Sequence, residues 1–246
     1  MRRLTAIIAR VGAGLGVGLG VGLGLAGGLA GAALAQPANP PLTVLELFTS
    51  QGCSSCPPAN ANLARLADRP DILALSFGVT YWDDLGWKDT FASKAYTDRQ
   101  WDYAHGLHHS NVATPQMVVN GRVDVIGTSL GEIDAAARGA RLPANAPNLT
   151  LTSGSVTVAA GPKPARPAQV WLVRYDPAIV QVPIKRGENS GKTLPHKNVV
   201  KELVRLGAFD GAAETLALPK ASRPDLKTAI LVQAGSGGPI LAAAKG

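Results

Sequence analysis

Residues Pro41 to Ala67 read PLTVLELFTSQGCSSCPPANANLARLA, and the hydrophobic period changes within this stretch. Val44, Leu45, Leu47 and Phe48 form a short apolar run suited to a buried strand, whereas Ala59, Leu63, Leu66 and Ala67 recur at helical spacing. The spacing therefore places Cys53 and Cys56 where strand becomes helix. A thiol there faces unpaired backbone N–H groups and the positive end of the helix dipole, which favour the thiolate that carries out disulfide exchange. Cys53 is the expected nucleophile. Cys56, about one turn further in, is expected closer to the core and within reach to resolve a mixed disulfide. Pro57 and Pro58 fall in the first helical turn, where missing N–H groups cost little.

Downstream, Ile72 to Val79 (ILALSFGV) is a second mostly apolar run, and strand, helix, strand implies a parallel crossover. The following loop, Thr80 to Asp89 (TYWDDLGWKD), then leaves the same sheet edge as the cysteines. Tyr81, Trp82 and Trp87 are thus candidates to wall the site and contact substrate; plugging a core edge is the alternative use of the same aromatics. Ser93 can cap a helix running to about Leu107, with Tyr96, Tyr103, Ala104 and Leu107 on one face. His105, His108 and His109 near its end read as solvated residues favoured by the dipole, although three nearby histidines also resemble a metal site. Asn120-Gly121 divides two apolar runs as a hairpin turn does. Ser129 and Glu132 form a capping box before a last helix containing Leu130, Ile133, Ala136 and Ala137.

From Pro147 onward the texture shifts to short alternating runs at 148–152, 155–159, 169–175, 179–185, 229–233 and 239–243. This predicts a second, β-rich domain over 147–246, a small sandwich. Val199 to Leu206 (VVKELVRL) fits a period of two or of three to four. Gly187 to Lys192 and His196 form a polar loop cluster, readable as a binding element or as a surface hairpin.

Upstream, Met1 to Ala35 carries Arg2, Arg3 and Arg10, an uncharged Gly-, Leu-, Val- and Ala-rich run, and Ala33-Leu34-Ala35 before Gln36. This is a secretory signal pattern over 1–35, followed by a linker over 36–41. An uncleaved membrane anchor is the other reading, but the many glycines weaken both helicity and hydrophobicity. The net charge of +7 comes from 24 Lys and Arg against 17 Asp and Glu; without the three arginines it is 21 against 17, or +4. No basic run is interleaved with aromatics, so nucleic acid is not an expected partner. Only two cysteines exist, so no structural disulfide framework is available.

A strand, a CxxC at a helix start and a Thr-Pro leading into an Asn-Gly hairpin resemble the thioredoxin superfamily, and LELFTSQGCSSC resembles the periplasmic thiol oxidases of the DsbA type. The whole chain from Pro41 to Gly246 is similar to an exported bacterial family of unknown function, DUF1223, through LFTSQGCSSCPPAN, YWDDLGWKDTFAS, TPQMVVNGR and GENSGKTL. The resemblance implies an α/β fold: a thioredoxin-like domain over 42–146, then the all-β, sandwich-like domain. It implies that Pro115 is a cis-proline in the site, with the backbone at Thr114 pairing with substrate. Glu46 would be a buried carboxylate beneath the cysteines, a possible proton relay; bonding to loop backbone is its other reading.

The leading functional expectation is an exported, periplasmic or secreted thiol-disulfide oxidoreductase acting on protein or small-molecule thiols and disulfides. No cofactor and no metal is assigned, and no stable membrane insertion is expected after signal cleavage. Two other classes compete: a copper or zinc protein using the CxxC and a histidine, and a binding module whose CxxC is a permanent disulfide. If Ala35-Gln36 is the cleavage point, N-terminal sequencing of exported protein should begin at Gln36; a major membrane-associated species retaining Met1 would establish the anchor instead.

Overall fold

The apolar run after Pro41 becomes a central strand. In the computed structural model, which describes residues 42–246, Val44, Leu45, Leu47 and Phe48 of β1 (Thr43–Thr49) are fully buried. The expected signal peptide and linker lie outside the described residues. Alternate side chains of β1 serve two faces, as a strand's period of two requires. Leu45 and Leu47 pack with Ala59 and Leu63 of α1 (Pro57–Leu66), while Val44 and Phe48 enter a second cluster. β2 (Ile72–Gly78) runs parallel to β1, from Thr43 opposite Ile72 to Thr49 opposite Gly78, as the crossover predicts. α2 (Lys94–Gly106) supplies Tyr96 and Tyr103 to the second cluster, where Phe48 stacks on Phe77. Ser93 occupies the α2 N-cap position but makes no side-chain capping bond there, contrary to its expected role.

β3 (Gln116–Val119) pairs antiparallel with the other side of β1, and β4 (Val123–Val125) forms the edge. Asn120 and Gly121 both have positive φ, 50° and 63°, which is the backbone of a two-residue hairpin turn. Asn120 does more than turn: its side chain accepts from Val44 N–H at 2.6 Å and donates to Ala140 O at 2.8 Å. α3 (Leu130–Gly139) follows, its N-cap Ser129 accepting from Glu132 N–H.

Beyond Pro147 lie β5 (Leu149–Leu151), β6 (Ser155–Val158), β7 (Ala168–Asp176), β8 (Val180–Pro183), β9 (Thr193–His196), β10 (Val199–Phe209), β11 (Glu214–Ala217), β12 (Lys227–Ala234) and β13 (Ile240–Lys245). Each of the alternating runs is a strand, and the ambiguous VVKELVRL belongs to β10. They do not build a sandwich of their own. The large sheet has the order β13-β12-β7-β10-β2-β1-β3-β4, mixed in direction and continuous across both halves of the chain. The join is at β2, whose free edge would otherwise expose unpaired backbone groups. β10 meets it in parallel at Val199 and Ser76, with Asn198 accepting from Ser76 N–H at 2.9 Å and donating to Ala74 O at 2.8 Å. A second layer does exist, since β11-β6-β5 packs through Leu149, Val156 and Val158 against Val170, Leu172 and Ile230. The large sheet that it covers is shared with the first half of the chain.

The two halves are also joined through the arginine of a buried charge pair. On the face of β1 opposite α1, Arg99 of α2 donates to both oxygens of Glu46 at 2.5 and 2.9 Å, and Tyr103 adds a hydroxyl donor to the same carboxylate. Arg99 also donates to Gln233 of β12 at 3.1 Å, and its guanidinium lies near the rings of Phe77, Tyr103 and Trp171. Burial acts to lower the Arg99 pKa, but Glu46 and Tyr103 outweigh it and hold the group above its ordinary value. Removing one partner leaves the other as an uncompensated buried charge. Arg99→Met should therefore lower the unfolding free energy in urea by about 3–5 kcal/mol, with Glu46→Gln/Arg99→Met recovering much of the loss. A single variant within about 1 kcal/mol of wild type would show that this pair is not a principal support.

Candidate functional site

Because β1 and β2 are parallel, the loops that leave their carboxyl ends meet at one sheet edge. β3 is antiparallel to β1, so the residues entering it arrive at that edge too. There Cys53 and Cys56 are joined by a disulfide, with Cys56 at the N-cap of α1. Thr114–Pro115 is a cis peptide, and Thr114 O lies 3.7 Å from Cys53 Sγ. Ser55 Oγ stands 3.2 Å from the same sulfur, its hydroxyl being the available donor while the disulfide is formed.

The aromatic loop divides its labour. Trp82 donates from its indole nitrogen to Thr114 Oγ1 at 2.8 Å, so it holds the proline loop, while it and Tyr81 also pack against the core cluster. Burial pushes the Tyr81 phenol up to about 12. Trp87 instead grips the turn before the cysteines, donating to Gln51 Oε1 at 2.9 Å. Gln51 is wholly buried and is the hub of that turn: its N–H goes to Asp89 at 2.7 Å and its amide nitrogen to Thr90 at 2.9 Å. Burial pushes the Asp89 carboxyl up, and the N–H bonds from Gln51 and Phe91 oppose it.

Residues 177–198, between β7 and β10, carry the β8–β9 hairpin to the same edge. Asn189 at its tip is fully buried and donates to Gln51 O at 3.0 Å and Cys53 O at 2.9 Å. Glu188 accepts from Ser54 N–H at 3.0 Å. The polar cluster Gly187 to Lys192 is therefore a cover on the cysteine turn. Cys53 is 0% exposed and Cys56 1%. The expected contrast between an open Cys53 and a recessed Cys56 is absent. The supply of helix-start donors is also smaller than the sequence suggests, because Pro57 and Pro58 have none and Cys56 N–H is bonded to Cys53 O.

Glu46 does not lie beneath the cysteines. It faces α2 and is committed to Arg99 and Tyr103, which corrects both the relay and the loop-backbone readings. His105, His108 and His109 are exposed, with His109 Nε2 3.0 Å from Asp124. Among the described residues no three His, Cys, Asp or Glu side chains gather as a metal set, and no helix is long and apolar enough to cross a membrane. Gln51, Ser55 and Asp89 carry no site reading of their own in the sequence, whereas Glu188 and Asn189 belong to the polar cluster readable there as a binding element. The signal that existed was their place in the quoted motifs, especially SQGCSSC and GENSGK.

A family model described as a protein of unknown function, DUF1223, matches residues 44–233. The chain belongs to the DUF1223 family. A crystallographically solved protein of Agrobacterium tumefaciens is 32% identical with a TM-score of 0.68, covering 86% of this chain and 95% of its own. HBP35 of Porphyromonas gingivalis is similar in fold, at 15% identity and a TM-score of 0.50 over 86% of this chain and 76% of its own. No curated protein matches.

In this DUF1223 chain the cover has an apolar foot and a polar tip. Val182, Ile184 and Leu194 pack with Trp87 and Phe91, and His196 sits edge-on to Phe91 with ring centroids 5.4 Å apart. His196 is buried and its Nε2 has no partner. Burial, with a smaller contribution from Lys201, lowers its pKa from 6.5 to about 4. The unfolded chain therefore binds a proton that the folded chain refuses between these values, so this group costs no stability above pH 6.5 and removes it progressively down to about pH 4. The loss should reach about 3 kcal/mol at most. Urea midpoints at several pH values should fall more steeply for wild type than for His196→Phe across that window. Parallel curves would place the ring in solvent.

Proposed function

We propose that this DUF1223 protein is an exported, thioredoxin-like thiol-disulfide oxidoreductase acting outside the cytoplasm on protein or small-molecule thiols and disulfides. The observation that carries the reading is the Cys53–Cys56 disulfide at the start of α1 with Thr114 O 3.7 Å from Cys53 Sγ. Export rests on the signal pattern of residues 1–35.

In the oxidising direction a substrate thiolate attacks Cys53 Sγ, the Cys53–Cys56 bond breaks, and Cys56 leaves as the thiolate. A second substrate thiolate then attacks the substrate sulfur of the mixed disulfide and displaces Cys53. The substrate ends as a disulfide and the protein as a dithiol; the reverse sequence reduces a substrate. Ser55 is placed to donate to the departing or attacking Cys53 sulfur. The Thr114 carbonyl, steadied by Trp82, offers an acceptor to an extended substrate backbone beside the disulfide.

The complete burial of Cys53 favours a second reading, in which the disulfide is a permanent clasp inside a binding module. Cys56→Ala separates the two. In the oxidoreductase, loss of Cys56 removes the nearby thiol that breaks the mixed disulfide at high effective concentration. Exported Cys56→Ala should accumulate discrete adducts on non-reducing electrophoresis, identifiable by mass spectrometry and abolished by adding Cys53→Ala. A folded, exported variant without such adducts would establish the clasp.

A further inference from the structure

The hairpin tip brings one carboxylate to the cysteine turn. Glu188 Oε2 accepts the Ser54 N–H, directly after Cys53 in the chain, at 3.0 Å. Backbone N–H groups at this position are what a Cys53 thiolate would draw on, and the turn has few to spare. Pro57 and Pro58 supply none, and Cys56 N–H is spent on Cys53 O. Among the described residues no lysine or arginine forms an ion pair with Glu188, and Lys192 Nζ is bonded instead to Asn189 Oδ1 at 3.0 Å. Hydrogen bonds from Ser54 hold the Glu188 carboxyl below the usual carboxylate range, so it is ionised at neutral pH.

We propose that Glu188 is a redox-positioning residue: by placing a negative charge on the Ser54 amide it opposes the Cys53 thiolate and biases the pair toward the disulfide. The inference rests on the thiol-exchange reading of the same cysteines. Its physical basis is repulsion between a carboxylate fixed on the Ser54 amide and a thiolate on the preceding residue. The disulfide is neutral and indifferent to the carboxylate, whereas the reduced form ionised at Cys53 is not. Glu188 thus acts through the Ser54 amide and touches no substrate. Asn189 beside it has a different task, since its two bonds to Gln51 O and Cys53 O hold the turn without adding charge.

The test uses the full mature chain as wild type, Glu188→Gln and Glu188→Ala, with Glu132→Gln on α3 as a control for net charge. Two quantities are measured: the equilibrium of the Cys53–Cys56 pair with reduced and oxidised glutathione, and the rate at which iodoacetamide alkylates Cys53 in the reduced protein at pH 7. Glu188→Gln keeps a hydrogen-bond acceptor and removes the charge. It should shift the equilibrium toward the dithiol about threefold to tenfold, a rise of roughly 14–30 mV for a two-electron couple. Alkylation of Cys53 should quicken by a similar factor. Glu188→Ala should move both readouts in the same direction, and Glu132→Gln neither. If Glu188→Gln leaves both at wild-type values, or if only Glu188→Ala moves them, the charge is not the cause and the proposal falls. If wild type fails to exchange with glutathione at all, the oxidoreductase reading falls instead. The alkylation rates still decide the role of Glu188, because they require no redox cycle.

Discussion

The buried pair of Glu46 and Arg99 sets the terms for the rest of the molecule. A carboxylate in the middle of a buried stretch of strand is tolerable only with a cation and further hydrogen bonds around it, and here Arg99 and Tyr103 of α2 supply them, while Gln233 of β12 accepts from Arg99. Satisfying one charge on β1 therefore fixes α2 against the sheet and ties the last third of the chain to the first. A hydrophobic residue at 46 could be buried with no such demand. The charge makes the placement of α2 specific, and α2 in turn leads into the loop that ends at Thr114–Pro115.

Sheet topology then decides what lies over the cysteines. β7 ends and β10 begins level with the carboxyl end of β2, where Asp176 pairs with Val199 and Val199 with Ser76. Residues 177–198 connect β7 to β10, and their tip reaches the cysteine turn through Asn189. The connection is the β8–β9 hairpin, and the loop 80–93 gives it an apolar landing through Trp87 and Phe91. A separate second domain would have left this edge open. Continuity of the sheet closes it.

The first half of the fold was legible because local signals agreed with one another: the change of period at the cysteines, the crossover, the Asn120-Gly121 turn and the Ser129 cap each point to the element that forms. The strands after Pro147 were also legible as strands. Their partners were not, because the pairing of Val199 with Ser76 spans 123 residues and alternation says which face is buried without saying which edge is covered. The same limit hid the function of the GENSGK loop. Asn189 meets Cys53 across a separation of 136 residues, and nothing in a polar loop's composition names its target. Glu46 misled for another reason: the superfamily resemblance set it beneath the cysteines, but its place in the β1 alternation turns it to the face of α2.

A disulfide covered on every side need not be inert, and the strength of the cover decides the matter. The foot of the hairpin is held by apolar packing, but the tip is held to the cysteine turn by three hydrogen bonds, from Ser54 to Glu188 and from Asn189 to Gln51 and Cys53. At a net worth of about 1 kcal/mol for each of the two buried Asn189 bonds, lifting the tip alone costs on the order of 2 kcal/mol. That corresponds to an open fraction of roughly one in thirty, enough to slow thiol attack without abolishing it. Lifting the foot as well would expose Val182, Ile184 and Leu194 and leave Trp87 without cover, at about 1.5–3 kcal/mol for each large side chain. Opening is therefore confined to Gly187 to Lys192, where Gly187 and Gly191 already adopt positive φ of 74° and 81° and the backbone has room to turn. The cover is weakest at the turn that carries Cys53.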